Sequence, residues 1–361
     1  MLPIPILAGK TRKEILLKTE VKSIAATEAL PENGNCLIDQ FGRVFNYLRI
    51  AVNEKCNLRC IYCMPEEGID FRPEKKLLTA EEILRVVKIS ADLGVRKIRF
   101  TGGEPLLRSD MVRIVEKTVE IPGINDVCIT TSGLLLRKMA SQLSDAGLTS
   151  VNISLDTLDA AKFREITRRD GLAQVMEGLE TALKLPFNSV KINTVFMRGL
   201  NHDELKNFVE ITEKYPVAVR FIELMPFDAH QIWKTGKFYG AERIVEELKQ
   251  LFPELKKVKG SATEHHVFRV SGFKGNVAVI PAYSRTLCGN CNRVRLTADG
   301  KLRNCLYSDN EFSLRDMMRN GTSDEAMAHL MKKAMWLKPE DGWVAQRQGD
   351  HGRESMTQIG G

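Results

Sequence analysis

The chain lacks any run approaching the ~18 to 20 apolar residues that a membrane-spanning helix needs, so no such helix is expected. Its first 34 residues have no cleavable apolar core. Glu14, Glu20, Glu28 and Glu32 there argue against an acid-poor transit peptide. The expected location is therefore cytoplasmic, with residues 1–35 a poorly ordered extension. Eight cysteines among 361 residues are too few for a disulfide scaffold, and reducing conditions would oppose one. There is no low-complexity tract and no internal repeat beyond alternating strand and helix. No stretch interleaves basic and aromatic residues as a single-strand nucleic-acid platform does. Neither a nucleic acid nor a membrane is thus an expected partner.

What is present is an ordinary globular composition, 43% hydrophobic, enough to bury a sizeable core. The net charge of +7 hints at an anionic ligand without naming one. Strand patterns occur at YLRIAV, KIRFT (97–101), DVCIT (126–130), SVNISL (150–155), VKINTVF (190–196) and VAVRFIEL (217–224). Between them lie helical patterns at 79–94, 109–120, 137–146, 173–185 and 202–214. In the first, Thr79 and Glu82 make a capping box and Gly94 a left-handed stop. Six strands with five intervening helices predict an α/β fold, a parallel sheet with right-handed crossovers, open or curled into a partial barrel.

The unusual residues cluster relative to those strands. CNLRCIYC follows the first, GGEPLLR the second and TTSG the third. Ser154 and Asp156 close the fourth strand, Lys191 lies in the fifth, and Met225 follows the sixth. Every candidate is expected near one rim, and in a parallel barrel the carboxyl ends of the strands are where loops converge to build an active site.

Cys56, Cys60 and Cys63 sit within eight residues. Four thiolates would close a structural zinc or iron–sulfur site, whereas three leave one position free for a ligand that is itself a substrate. A zinc site completed by a distant residue is the alternative. Gly102 and Gly103 follow a strand directly, where missing side chains allow close backbone approach to a ligand or simply a tight turn. A second triplet, Cys288, Cys291 and Cys305, lies in CGNCNRVRLTADGKLRNC. Arg293 and Arg295 share one face of the strand-like stretch beside it, and guanidinium forks suit phosphate and nucleobase edges. Cys36 and Cys128 stand alone and read as plain thiols.

The pairing of CxxxCxxC with GGEP resembles the radical S-adenosylmethionine superfamily. The wider pattern, from LIDQFGRVFNYLRI through CNLRCIYCMP, TGGEPLLR, TTSGLLL, SLDTLD, RFIELMP, the second cysteine group and QIGG, is similar to the GTP 3′,8-cyclase family of molybdenum cofactor biosynthesis. That resemblance covers residues 36–361. It implies a partial (β/α)6 TIM-type barrel over 36–228, a C-terminal region over 229–345 carrying a second iron–sulfur cluster, and a tail over 346–361 ending in Gly-Gly. It implies two [4Fe-4S] clusters, one on Cys56, Cys60 and Cys63 and an auxiliary one on Cys288, Cys291 and Cys305. S-adenosylmethionine is expected at Tyr62, Gly103, Ser154 and Met225. GTP is expected at Arg49, Arg99, Thr130, Lys191, Arg293, Val294 and Arg295. Arg293, Arg295, Gly360 and Gly361 are the expected catalytic set.

In the implied reaction a 5′-deoxyadenosyl radical takes the 3′ hydrogen of GTP and the ribosyl radical adds to C8 of guanine. The resemblance further implies an electron donor such as flavodoxin or ferredoxin, delivery of product to a cyclic pyranopterin monophosphate synthase, and a homodimer. The family pattern RISVTDRC is RIAVNEKC here, and TTNG is TTSG. In the first, Asp-Arg becomes Glu-Lys with charge signs kept, though Lys lacks the bidentate fork; the second changes Ser132, and both bear on local tuning while the reaction is expected to be retained. A radical peptide maturase would be expected to carry more C-terminal cysteines, and a zinc-containing nucleic-acid binder would leave GGEP unexplained.

Overall fold

The computed structural model describes residues 34–225, 235–260, 266–348 and 355–359. Residues 1–33 of the expected extension, and Gly360 and Gly361, lie outside them. Six strands run in parallel and in chain order: β1 (Tyr47–Ala51), β2 (Lys97–Thr101), β3 (Asp126–Thr131), β4 (Ser150–Ser154), β5 (Ser189–Phe196) and β6 (Val217–Glu223). The crossovers carry α1 (Ala80–Asp92), α2 (Met111–Val119), α3 (Leu136–Asp145), α4 (Ala160–Thr167), α5 (Leu172–Leu183) and α6 (Leu205–Lys214).

Local chemistry sets these elements. The Thr79 side chain accepts from Glu82 N while Glu82 reaches back to Thr79 N, the expected capping box, and Gly94 takes φ +84° just beyond the helix. The sequence reading missed α4. It is two turns long, capped by Asp159 accepting from Lys162 N and stopped by Arg168 at φ 55°. Its apolar face, Phe163 and Ile166, is too short to register as a helical period. The helices pack their apolar faces on the outside of the sheet, and one continuous core joins Ile83, Val86 and Val87 of α1 to Ile98 and Phe100 of β2 and onward to Phe208 and Phe221.

The C-terminal half extends this sheet at both edges. After α7 (Ala241–Leu251), strands β7 (Lys256–Val258), β8 (His266–Arg269) and β9 (Asn276–Ile280) form a meander, with β9 parallel to β6. The chain then reaches the opposite edge, where β10 (Arg293–Leu296) lies parallel to β1 and continues into β11 (Lys301–Arg303) and β12 (Glu311–Ser313). The twelve strands therefore run β12-β11-β10-β1-β2-β3-β4-β5-β6-β9-β8-β7. Helices α8 (Leu314–Arg319), α9 (Asp324–Trp336) and α10 (Gly342–Arg347) follow. No helix of the described residues is long and apolar enough to cross a membrane.

Candidate functional site

Parallel strands covered on both faces normally read as unbroken hydrophobic runs. Here every second position is polar instead. Tyr47 and Arg49 in β1, Lys97 and Arg99 in β2, Lys191 and Asn193 in β5, Arg220 in β6, and Arg293 and Arg295 in β10 all point to the concave side, where they line one cavity of about 490 Å³. Strand register sets the arginines level with one another: Arg49 pairs with Arg295 on one side and with Arg99 on the other. Arg99 donates to Thr130 Oγ1 at 3.2 Å.

Nine Lys and Arg side chains face the cavity against three carboxylates, Glu104, Asp156 and Glu223. Each carboxylate is engaged by neutral donors. Glu104 accepts from Leu106 N, Thr131 Oγ1 and Ser132 N; Asp156 from Tyr62 OH at 2.7 Å and Val195 N; Glu223 from Ala241 N, Tyr283 N, and both N and Oγ of Ser284. Burial holds Arg49 well below its usual range, and the neighbouring Arg295, Arg99 and Arg293 push the same way. The Nε atoms of Arg49, Arg99, Arg293 and Arg295 are buried without a hydrogen-bond partner. Such a wall favours a multiply charged anion, which would supply both the counter-charge and the missing acceptors.

Both cysteine triplets open onto this same cavity. Cys56, Cys60 and Cys63 lie in the loop after β1, and burial pushes their thiols up, Cys56 to about 12 and Cys63 to about 11. Cys288 and Cys291 lie on the turn before β10 and Cys305 follows β11; because β10 runs parallel to β1 and β11 antiparallel to β10, all three sit toward the amino end of β1, opposite the loop that carries Cys56. All six are free thiols. Arg43 braces the second group: it pairs with Asp39 at 2.6 Å and donates to the carbonyls of Cys288, Pro339 and Glu340. This is the structural use of LIDQFGR. Cys36 and Cys128 do not line the cavity.

The two glycines of GGEP have close backbone neighbours. A Cβ on Gly103 would meet Lys55 O at 2.2 Å, and one on Gly102, at φ +142°, would meet Asn53 O at 2.4 Å. Gly103 N donates to Asn53 O and Glu104 N to Lys55 O. The glycines thus let the loop after β2 lie against the backbone leading into Cys56. Both still border the cavity. The departure at Ser132 is absorbed locally, its Oγ donating to Asn57 Oδ1 at 3.1 Å.

Tyr62, Gly103, Ser154 and Met225 all border the cavity, as do Arg49, Arg99, Thr130, Lys191, Arg293 and Arg295. Val294 does not. It alternates to the other face of β10 and is fully buried in the core, so only its backbone is available to a ligand. The tail approaches too: Ser355 Oγ and Met356 N donate to Cys63 O at 2.9 and 3.4 Å, and Met356 and Thr357 reach the cavity wall. Sequence reasoning passed over Tyr47, Lys97, Glu104, Asn193, Arg220, Glu223, Arg285 and Lys338, which also line it. The polar alternation within the strands was the signal for Tyr47, Lys97, Asn193 and Arg220.

Residues 50–211 match the model of the radical SAM superfamily, and residues 217–343 that described as Molybdenum Cofactor Synthesis C. The chain is 45% identical over 325 residues to the GTP 3′,8-cyclase of Chlorobaculum tepidum, covering 90% of this chain and 97% of that protein. It is 43% identical over 333 residues to the GTP 3′,8-cyclase of Desulforamulus reducens, covering 90% and 100%. Against molybdenum cofactor biosynthesis protein 1 of Bos taurus the identity is 47% over 303 residues, 84% of this chain and 48% of that longer protein. Among solved structures, Streptococcus suis SuiB bound to precursor peptide SuiA superposes with a TM-score of 0.58 at 16% identity, covering 80% of this chain and 66% of that one, a likeness of fold alone.

Proposed function

The chain belongs to the GTP 3′,8-cyclase family of the radical S-adenosylmethionine superfamily, and from that premise we propose that it converts GTP to (8S)-3′,8-cyclo-7,8-dihydro-GTP at the first step of molybdenum cofactor biosynthesis. The observation that carries this reading is the shared cavity, with the two thiol triplets toward opposite ends of the paired strands β1 and β10 and a row of arginines between.

The donor sets fit iron–sulfur clusters. Each is three unpaired thiols on a cavity wall. Among the described residues, no three His, Cys, Asp or Glu side chains converge on a point for a single metal ion. A cubane instead offers each thiolate its own iron. We assign a [4Fe-4S] cluster to Cys56, Cys60 and Cys63 and a second to Cys288, Cys291 and Cys305. S-adenosylmethionine bound at the first supplies a 5′-deoxyadenosyl radical.

The chain's own part is to hold and orient. Arg49, Arg99, Arg293 and Arg295, with Lys191 and Thr130, bind the triphosphate and the purine, and their excess charge makes an anion's entry favourable. Tyr62, Gly103, Ser154 and Met225 hold S-adenosylmethionine, with Tyr62 fixed by its bond to Asp156. The 355–359 segment lies against Cys63, and Gly360 and Gly361 are assigned to the catalytic set with Arg293 and Arg295. A flavodoxin or ferredoxin as electron donor, a cyclic pyranopterin monophosphate synthase as recipient, a homodimer and a cytoplasmic location complete the proposal.

The test is anaerobic. The protein is reconstituted with iron and sulfide, reduced, and supplied with S-adenosylmethionine, and 5′-deoxyadenosine is measured with and without GTP. Strong stimulation by GTP, with a product isomeric with GTP, is expected. Formation indifferent to GTP would discard the substrate.

A further inference from the structure

Lys338 follows α9 and is only 2% exposed, yet it borders the cavity beside Cys288, Cys291 and Cys305. Its Nζ donates to the main-chain oxygen of Asn304, the residue before Cys305, and lies 5.2 Å from the centroid of the Phe45 ring. Among the described residues no carboxylate forms an ion pair with it. A buried ammonium satisfied by one carbonyl and a ring face still lacks a counter-charge.

The neighbouring thiols identify one. A cubane held by three thiolates carries net negative charge, and reduction adds another unit. A fixed cation in a dry pocket therefore favours the reduced form more than the oxidised one. We propose that Lys338 is the counter-charge of the second cluster and holds up its reduction potential. This inference rests on the assignment of that cluster to Cys288, Cys291 and Cys305. Arg293 and Arg295 also border the cavity beside these thiols. The arginines have a competing task, since a bound triphosphate would draw on their charge. Lys338, tied to Asn304, stays with the thiols whether or not a substrate is present.

The experiment uses the full chain with Cys56, Cys60 and Cys63 replaced by Ala, so that only the second cluster forms on anaerobic reconstitution. Its midpoint potential is read by redox titration followed by electron paramagnetic resonance, in the background alone and with Lys338→Gln or Lys338→Arg. Gln keeps a donor for Asn304 O while removing the charge; Arg keeps the charge. Lys338→Gln is expected to move the potential more negative, cutting the reduced-to-oxidised ratio at the original midpoint about tenfold, while Lys338→Arg stays near the background. Loss of the cluster in Lys338→Gln with retention in Lys338→Arg would equally support a required charge. An intact cluster whose potential ignores Lys338→Gln, or an equal change in both variants, would overturn the inference alone. Absence of any cluster from the Lys338-intact background would overturn the second-cluster assignment itself, and this inference with it.

Discussion

Gly103→Ala puts the packing of the first cysteine loop to a quantitative test. The new Cβ would lie 2.2 Å from Lys55 O, 2.5 Å from Lys55 C and 2.6 Å from Glu54 O, all backbone atoms with no rotamer by which to yield. Contacts under 3.0 Å essentially never occur for a Cβ, so the two segments must separate by roughly 0.8 Å. That movement would stretch the bonds from Gly103 N to Asn53 O and from Glu104 N to Lys55 O, now 3.0 and 2.7 Å. Overpacking of this kind costs about 1–3 kcal/mol, and rigid neighbours place this site near the upper end. For a chain of this size a loss of about 3 kcal/mol lowers Tm by roughly 4 °C. Because Lys55 precedes Cys56 directly, iron bound per chain should fall with it. Calorimetric unfolding and iron and sulfide analysis read both effects. Gly240 is the control: at φ −74° its Cβ would meet only the Phe238 ring at 3.5 Å, so Gly240→Ser should leave Tm and iron nearly unchanged. A Gly103→Ala protein as stable and as iron-loaded as its parent would refute the close-packing argument.

Two other substitutions separate the remaining parts of the site. Arg293→Lys keeps charge but loses the planar fork, so it should raise the KM for GTP far more than the Kd for S-adenosylmethionine; equal losses in both would refute the nucleotide assignment. Glu223→Gln places an amide where Ala241 N, Tyr283 N and Ser284 all donate to a carboxylate. Each donor left unsatisfied costs about 1–3 kcal/mol, and the segment leading to Cys288 should loosen. A lower Tm together with iron lost from the second triplet, measured in the background lacking the first, is expected; no change in either would show that Glu223 does not position that segment.

How much of this was legible beforehand depended on whether the signal was local. Strand KIRFT and the Thr79–Glu82 box are set by residues within one turn or strand, and both stand as read. The rim position of CNLRCIYC followed from the same local logic, since a loop after a parallel strand has one side to occupy. The meeting of the two triplets in one cavity was not legible from spacing, because Cys56 and Cys288 are joined through the pairing of β1 with β10. Neither was the Arg295–Arg49–Arg99 row, a product of register between strands distant in the chain. At Gly103 the sequence showed that something must come close to it, but not that Lys55 O lies against it from across the loop. Glu223 and Lys338 gave no sequence signal at all, since a buried Glu or Lys looks in the sequence like any solvated one.

The flanking of the barrel by C-terminal strands on both edges also bears on how the chain is made. Leu48 pairs with Val294, and Arg49 with Arg295, so the first strand waits for almost the whole polypeptide before its outer edge is covered. Contacts of such sequence separation form slowly. Until they do, a nascent barrel ending after β6 presents bare strand edges at β1 and at β6, each a template for pairing with another chain. A ribosome-bound intermediate of that length should need shielding by chaperones, and residues 1–228 expressed alone should aggregate where the full chain does not.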